Sequence, residues 1–287
     1  MFGVTLRPMP LHLRAQPNHN QPIVAPGQSA TDRCYFNLLL LHAGESVQLR
    51  VPGYETLFAV MSGSVDIAVG SQVFPKVGQR ADIWSGQADS VYAGTGAEIT
   101  VTGRAAHSEV AVAGGRCEQS FKPFRIEPAA VEMVEVGSKE THSRRRIFHL
   151  LGQNAAGRAG HLLVSELYAD PGCWSGYPPH KHDAEKPPEE TNFQEIYHYR
   201  FRPESGFGGQ YCYETGKTPM VVMTGHKDTF LVDRGYHPTV TSPGHEEYIF
   251  TILVGVEQRS LIQSFEPAHR HLMNVIPGLQ AMRDKFK

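Results

Sequence analysis

Two histidines separated by one residue, His180 and His182, lie in a stretch rich in proline and acidic residues, GYPPHKHDAEKPPEETNFQEIYHYRF (176–201). In an extended chain alternate side chains point to the same face, so both imidazoles would point toward one place. Glu195 opens the next apolar run, and His237 follows a glycine turn further along the chain. Three imidazoles and one carboxylate suit one divalent ion, Zn, Mn, Fe or Ni, and leave positions for a substrate.

A polar loop that carries incidental histidines is the alternative interpretation of this stretch. The His-x-His spacing often arises by chance and identifies no site by itself. The acid at a strand start and the later glycine–histidine strand favour the metal site. The identity of the metal is left open.

The residues between the histidine pair and Glu195 form an acidic insertion stiffened by proline. Its Glu189 and Glu190 could reach the ion, and Glu190 is the candidate catalytic base or lid contact. Solvated surface acids are the alternative. The identity of the base, and whether residues 183–194 form a lid, are left open.

Arginine and tyrosine side chains are the candidates for binding a substrate. Arg145 or Arg146, ahead of the apolar run IFHLL, could hold a carboxylate through a two-pronged guanidinium contact, or could form a structural salt bridge. Arg200 and Tyr213 are expected to face a barrel interior and contact the substrate. His198 is expected to face away from Glu195.

The elements that must position these residues are short β-type runs separated by glycine-bearing turns. One series extends from CYFNLLLL to HSEVAVAGG, and a second extends from HLLVSELYADPG to EEYIFTILVG. Val and Ile enrichment, with Gly, Ser and Asp at the breaks, is typical of an all-β sandwich or barrel. The matching rhythm of the halves predicts two antiparallel β-barrels. GLQAMRDKFK is the single segment predicted as a helix.

The domain boundaries follow from these series. We expect an N-terminal barrel over residues 1–120, a bridging segment of one or two strands over 121–160, a C-terminal barrel with the metal site over 161–265, and a tail over 266–287. The first barrel has Glu55 in RVPGYETLF, but no His-x-His precedes it. One carboxylate cannot hold a divalent ion, so this barrel is predicted to be metal-free and structural.

Composition argues against several classes of function. The 287 residues are 40% hydrophobic and 20% charged with a net charge of −2, as in an ordinary globular protein. The densest basic cluster, 144–146, is too small for a nucleic-acid footprint. No apolar run could span a membrane, and the N-terminus lacks a signal-peptide pattern. Four scattered cysteines without a CxxC pair favour a reducing cytoplasm.

A family resemblance follows from the whole set of motifs. A β-barrel with His-x-His, Glu and a later glycine-turn His resembles the cupin metal motifs. The string WSGYPPHKHD…PPEET…QEIYHYRF, together with GYHP, is similar to the 5-deoxy-glucuronate isomerases of myo-inositol breakdown, the KduI/IolB-type bicupins. The twelve residues between His182 and Glu195 depart from the general cupin spacing and point to this family. Gln194 and Asp233 depart from the family pattern, where an acid and a proline are common, but neither removes a ligand.

The resemblance implies a fold, a ligand set and a reaction. The fold would be two cupin barrels (double-stranded β-helix, jelly-roll) in tandem. His180, His182 and His237 would be the imidazole ligands and Glu195 the carboxylate ligand of one divalent ion. The reaction would be aldose–ketose isomerisation of 5-deoxy-D-glucuronate to 5-dehydro-2-deoxy-D-gluconate. The partner would be this small sugar acid, without nucleic acid or membrane, and a homo-oligomer is left open.

Two other classes of function stay open on the sequence. An Fe(II) cupin dioxygenase uses the same kind of ligand set, but the polar lining expected from Arg200, Tyr213 and the arginine cluster argues against it. A non-catalytic sugar-acid binding module would need a partner domain, and the sequence contains no recognisable one. Within the isomerase interpretation, proton transfer through an enediol and a direct hydride shift are both open.

Overall fold

A computed structural model describes residues 11–27 and 30–286 of the chain, without the side chains of 284–286. The first ten residues, on which the signal-peptide prediction partly depends, lie outside the described residues. In the N-terminal half the strands are β1 (His12–Leu13), β2 (Cys34–Leu41), β3 (Ser46–Leu49), β4 (Tyr54–Ser62), β5 (Val65–Val69), β6 (Gln72–Val77), β7 (Ser90–Ala93), β8 (Ile99–Gly103), β9 (Ser108–Arg116) and β10 (Phe124–Ile126).

The C-terminal half continues the series of short strands. They are β11 (Glu132–Val136), β12 (Arg145–Leu151), β13 (Leu162–Ala169), β14 (Trp174–Ser175), β15 (His180–Lys181), β16 (Phe193–Arg202), β17 (Phe207–Cys212), β18 (Met220–Gly225), β19 (Thr229–Val232), β20 (Thr239–Thr241), β21 (Glu246–Gly255) and β22 (Ser264–Phe265). The predicted tail helix is confirmed as α1 (Leu279–Phe286). Short 3₁₀ segments cover Pro128–Ala130, Gln153–Ala155 and Pro267–Asn274. Among the described residues, no helix has the length and apolar character needed to cross a membrane.

The strands form two antiparallel barrels, as the sequence predicts. In the first barrel a sheet of order β10-β7-β4-β9-β2 faces a sheet of order β3-β8-β5-β6. In the second, β1-β19-β16-β21-β13-β12-β11 faces β14-β20-β17-β18, and β15 pairs with β22 beside them. Alternate residues of β5, Val65, Ile67 and Val69, are buried in the first barrel's core, as a half-buried strand requires.

The largest sheets of the two barrels pack against each other. Phe36 and Leu57 of the first sheet share one apolar cluster with Ile196 and Phe250 of the second. A buried ion pair between Arg80 and Glu166 also crosses this interface. One apolar cluster is therefore common to the described parts of the two barrels.

The bridging segment differs from its prediction. It contributes three strands instead of one or two: β10 extends the first barrel's sheet, whereas β11 and β12 extend the second barrel's sheet. The start of the chain also differs, because β1 pairs with β19 of the C-terminal barrel. Edge pairings of this kind depend on distant parts of the chain, so local sequence patterns do not reveal them. The barrel boundaries themselves stay a prediction.

Glu55 of β4 joins the two barrels. Its buried carboxylate accepts backbone N–H groups of Gly160, His161 and Leu162 at 2.7, 2.5 and 2.8 Å. The hydroxyl of Tyr92 donates to the same carboxylate at 2.5 Å. These contacts fix the entry to β13, which lies in the C-terminal barrel. The geometry gives Glu55 a structural role at the interface.

Glu55→Ala is expected to destabilise the protein strongly. The substitution leaves the three backbone donors buried without an acceptor, and the expected loss is about 3 kcal/mol or more of unfolding free energy. The matched control is Glu118→Ala, since Glu118 is an exposed acid of the same barrel; its effect should stay within about 0.5 kcal/mol. Urea unfolding of both variants measures the difference. Equal midpoints for the two would contradict the anchoring role.

Candidate metal site

Four chain segments converge at one end of the C-terminal barrel. Strand β15 carries His180 and pairs with β22, and the carbonyl of His182 accepts the backbone N–H of Phe193 at the start of β16. Glu195 lies in β16 between β19 and β21. His237 precedes β20, after a turn at Gly235 with φ +80°. A Cβ on that glycine would lie 2.6 Å from the carbonyl oxygen of Tyr213, so only glycine fits the turn.

The four predicted ligands meet in a buried cluster. The ligand atoms of His180, His182 and His237 all lie within 4.8 Å of one another. Glu195 Oε2 is 3.0 Å from His182 Nε2 and 3.3 Å from His237 Nε2. All four side chains are buried. The structure thus brings together residues that are up to 57 positions apart in the chain.

Each imidazole is oriented by a backbone carbonyl. The Nδ1 atoms of His180, His182 and His237 lie 3.1, 3.0 and 2.8 Å from the carbonyl oxygens of residues 178, 193 and 235. A carbonyl only accepts hydrogen bonds, so each Nδ1 carries the proton and donates it. Each Nε2 then carries the lone pair that can bind a metal. Metal-binding histidines typically donate their other ring N–H to an acceptor in this way.

The cluster fits a divalent cation electrostatically. With Nδ1 protonated, the Nε2 lone pairs of His182 and His237 face the carboxylate oxygen of Glu195, a repulsive arrangement that a cation or an added proton relieves. Among the described residues, His237 Nε2 is buried without a hydrogen-bond partner. Burial holds the pKa of His180 well below its ordinary value, which keeps its imidazole neutral. Burial would raise the pKa of Glu195, but hydrogen bonds and positive charge from His182 and His237, once a proton is added at Nε2, lower it to about 2.

A cavity of about 60 Å³ lies next to the cluster, inside the barrel. Arg145, His180, Glu195 and Tyr197 all contribute to its wall. The remaining lining residues are Ile147, Ser165, Leu167, Ser175, Gly176, Thr239, Ile249, Thr251, Leu253, Leu261, Gln263 and Met282. The wall is therefore mainly apolar, with one cation and several hydroxyl and amide groups. An anionic polyhydroxy compound matches these groups.

Arg145 is the sequence-predicted substrate residue that the structure places at this cavity. Its side chain is buried, and it donates to the carbonyl oxygens of Ser143 and Tyr177 at 2.9 and 2.7 Å. Within the described part of the chain, no carboxylate lies within ion-pair distance of its guanidinium. Burial lowers the pKa of Arg145 to about 10, so it stays charged at neutral pH. Arg146 lies on the opposite face of β12, with its guanidinium over the ring of Tyr168.

Glu190 is not brought to the cavity. Its buried carboxylate accepts from the ammonium of Lys181 at 2.8 and 2.9 Å and from the backbone N–H groups of Asp183 and Ala184 at 2.7 and 2.9 Å. These bonds hold the insertion in a closed turn. Glu189 is exposed. Glu190 thus stabilises the proline-rich insertion, which argues against a role as the catalytic base.

The expectation that Arg200 faces the barrel interior is wrong. Arg200 is five residues from Glu195, so strand alternation puts the two side chains on opposite faces of β16. Its guanidinium contacts Glu109 of the N-terminal barrel at 2.5 Å and His198 at 3.1 Å. The predicted orientation of His198 is confirmed, because its ring packs against Phe36 of the first barrel at 5.0 Å. Arg200 therefore stabilises the interface between the barrels.

Tyr213 and Gln194 also lie away from the cavity. The half-buried Tyr213 donates its hydroxyl to Glu266 at 2.7 Å. Gln194, one of the departures from the family pattern, contacts Asp32 and the backbone N–H of Arg33 in the N-terminal barrel. Its side chain faces the interface, so this departure does not change the ligand cluster.

The sequence interpretation missed two cavity residues, Ser175 and Gln263. Ser175 belongs to the two-residue strand β14, and Gln263 directly precedes β22. Gln263 reaches the cluster only because β22 pairs with β15. No local pattern in the sequence indicates that pairing.

Comparison with known proteins places the chain among sugar-acid isomerases. The profile of the KduI/IolB family matches residues 11–272. A 5-deoxy-glucuronate isomerase of Lacticaseibacillus casei is 31% identical over 220 residues, which cover 76% of this chain and 80% of the relative. The crystal structure of an IolB-like protein from Salmonella typhimurium LT2 is 27% identical, with a TM-score of 0.78, and the match covers 84% of this chain and 90% of that one.

Solved structures of low sequence identity support the assignment of the fold and nothing further. An oxalate decarboxylase from Lactobacillus farciminis, solved with formate, has a TM-score of 0.61 at 9% identity, and the match covers 96% of both chains. Together with the strand topology, these similarities identify the two barrels as cupin barrels in tandem.

Proposed function

Because this chain belongs to the KduI/IolB family, we propose that it is a metal-dependent aldose–ketose isomerase that converts 5-deoxy-D-glucuronate to 5-dehydro-2-deoxy-D-gluconate in myo-inositol catabolism. The observation that carries the proposal is the convergence of three oriented imidazoles and one carboxylate beside a cavity whose wall includes the buried Arg145. The relatives that share most of the chain are named as isomerases of this substrate.

The proposed roles follow from the contacts of each residue. His180, His182, His237 and Glu195 would hold one divalent ion, whose identity among Zn, Mn, Fe and Ni is not assigned. When bound, such an ion polarises a carbonyl and stabilises the negative charge that develops on its oxygen. Arg145 would bind the carboxylate of the sugar acid through the N–H groups that its two backbone contacts leave free. The apolar wall strengthens this ion pair by lowering the local dielectric constant.

In the proposed reaction one hydrogen moves from C2 to C1 of the open-chain sugar acid. The C2 hydroxyl becomes a carbonyl, and the C1 aldehyde becomes a primary alcohol, so no oxidant or reductant is consumed. The hydrogen travels either as a proton, through an enediol, or as a hydride. A cavity enclosed by apolar side chains is compatible with both routes.

Proton NMR of the protein with 5-deoxy-D-glucuronate tests the proposal. We expect conversion to the ketose without uptake of dissolved oxygen. In D₂O, deuterium on the terminal CH₂OH carbon of the product, which derives from the aldehyde, would identify the enediol route, and its absence would count against an enediol that exchanges its proton with solvent. Oxygen consumption would favour a cupin dioxygenase, and binding without turnover by metal-loaded protein would favour a sugar-acid binding module. Either outcome would contradict the isomerase proposal.

The proposal also covers the cellular compartment in which the protein acts. We infer a cytoplasmic location, which the four cysteines support because all of them are free thiols. Reducing compartments keep thiols in this state.

A further inference from the structure

Gln263 lies directly beside the ligand cluster. Its amide nitrogen is 2.9 Å from His180 Nε2, the atom that would bind the metal. The amide oxygen, Oε1, is buried and has no hydrogen-bond partner in the described part of the chain. The same side chain lines the cavity together with Arg145 and Glu195. A buried amide with an unused acceptor is costly unless something else binds it.

Metal binding would change the contacts of this amide. His180 Nδ1 donates to the carbonyl of Pro178, so His180 Nε2 uses its single lone pair to accept from Gln263. A cation bound at His180 would take that lone pair, and the amide N–H would lose its acceptor. Gln263 would then present a free donor and a free acceptor to the cavity. A carbonyl beside a hydroxyl group is complementary to both.

A second unpartnered group lies in the same wall. The hydroxyl oxygen of Ser175 is buried, and no described residue forms a hydrogen bond with it. It also lines the cavity that contains Arg145 and Gln263. The enclosed wall therefore contains polar groups that the protein itself does not satisfy, as a site for a polyhydroxy ligand requires.

We propose that Gln263 is a substrate-binding residue of the isomerase, whose amide binds the oxygens at the reacting end of the sugar acid while Arg145 binds the carboxylate at the other end. The inference rests on the proposed function and assigns an orientation to the substrate within that site. Gln263 discriminates in favour of substrates with a hydroxyl group next to the carbonyl. Ser175 contacts a hydroxyl group between the two ends.

The test is Gln263→Met, which keeps the length of the side chain and removes its hydrogen bonds. We expect kcat/KM for 5-deoxy-D-glucuronate to fall roughly 10- to 100-fold, the usual range for leaving a buried polar partner unpaired. The affinity for the product, measured by calorimetry on metal-loaded protein, should fall in parallel. The affinity for the metal, measured by competition with a chelator, should stay at the wild-type level or rise, because a competitor for His180 is removed. Gln263→Ala provides a second variant if the methionine does not fold.

The matched control is Gln258→Leu on the same segment, because the Gln258 amide binds Glu185 at the protein surface. This variant should keep wild-type kinetics. The proposal is overturned if Gln263→Met keeps wild-type kcat/KM and product affinity, or if its loss of activity is fully explained by lost metal. Failure of the isomerase proposal is a separate result, because the wild-type protein itself would then not convert the substrate.

Discussion

His182→Ala is expected to lose both the bound metal and the isomerase activity. The side chain supplies one of three imidazoles, and its Nε2 is the closest of them to Glu195, at 3.0 Å. Mutation of residues that only support a metal ligand costs about 10–100-fold in metal affinity, so the loss of a ligand itself should exceed about 100-fold. Metal analysis of the purified variant, together with the NMR assay, measures both effects.

His271→Ala is the matched control for this prediction. His269 and His271 repeat the His-x-His spacing in the chain, but His271 is exposed and lies in the 3₁₀ segment Pro267–Asn274. The control should retain metal content and turnover. If His182→Ala kept the wild-type metal content and the wild-type activity, His182 would not be a metal ligand.

Arg145→Met is expected to reduce kcat/KM by about two to three orders of magnitude while the metal content stays unchanged. Loss of one partner from a buried, hydrogen-bonded charge pair costs roughly 2–5 kcal/mol, which corresponds to this range. The wild-type protein should also reject a sugar analogue without the carboxylate, whereas the variant should no longer discriminate against it. Kinetics with both substrates, and metal analysis of the same samples, provide the measurement.

Arg146→Met is the control for Arg145, because the neighbouring side chain lies on the opposite face of β12 and contacts Tyr168 instead of the cavity. Its kcat/KM should remain within a fewfold of the wild type. Equal effects of the two substitutions would indicate that Arg145 does not bind the carboxylate. Arg145 also donates hydrogen bonds to Ser143 and Tyr177, so the substitution could destabilise the fold. Thermal unfolding of the variant therefore shows whether a loss of activity comes from unfolding or from weaker substrate binding.

The sequence predicted those features of the fold that depend on local patterns. Val and Ile enrichment, with Gly, Ser and Asp at the breaks, predicted short antiparallel strands, and the alternating burial of β5 agrees with that prediction. The pairing of β1 with β19 and of β22 with β15 could not be predicted, because each joins segments far apart in the chain. Gln263 was missed for that reason, since only the second pairing brings it to His180.

The ligand residues could be predicted, but the surrounding side chains could be predicted only in part. His180 and His182 share one face of an extended segment, and the glycine turn indicated His237. Arg200 was misassigned although alternation from Glu195 already places it on the opposite face of β16. Glu190 could not be placed from sequence, because its position depends on bonds to Lys181 and to backbone N–H groups within the insertion.

The central claim is that one divalent ion at the histidine–glutamate cluster is required for isomerisation. The most direct test is a titration of chelator-treated protein with divalent ions, in which bound metal and conversion of 5-deoxy-D-glucuronate are measured in the same samples. We predict no conversion in the chelated protein and a linear rise in activity that ends at one ion per chain. Full activity in protein that has lost its metal would contradict the claim.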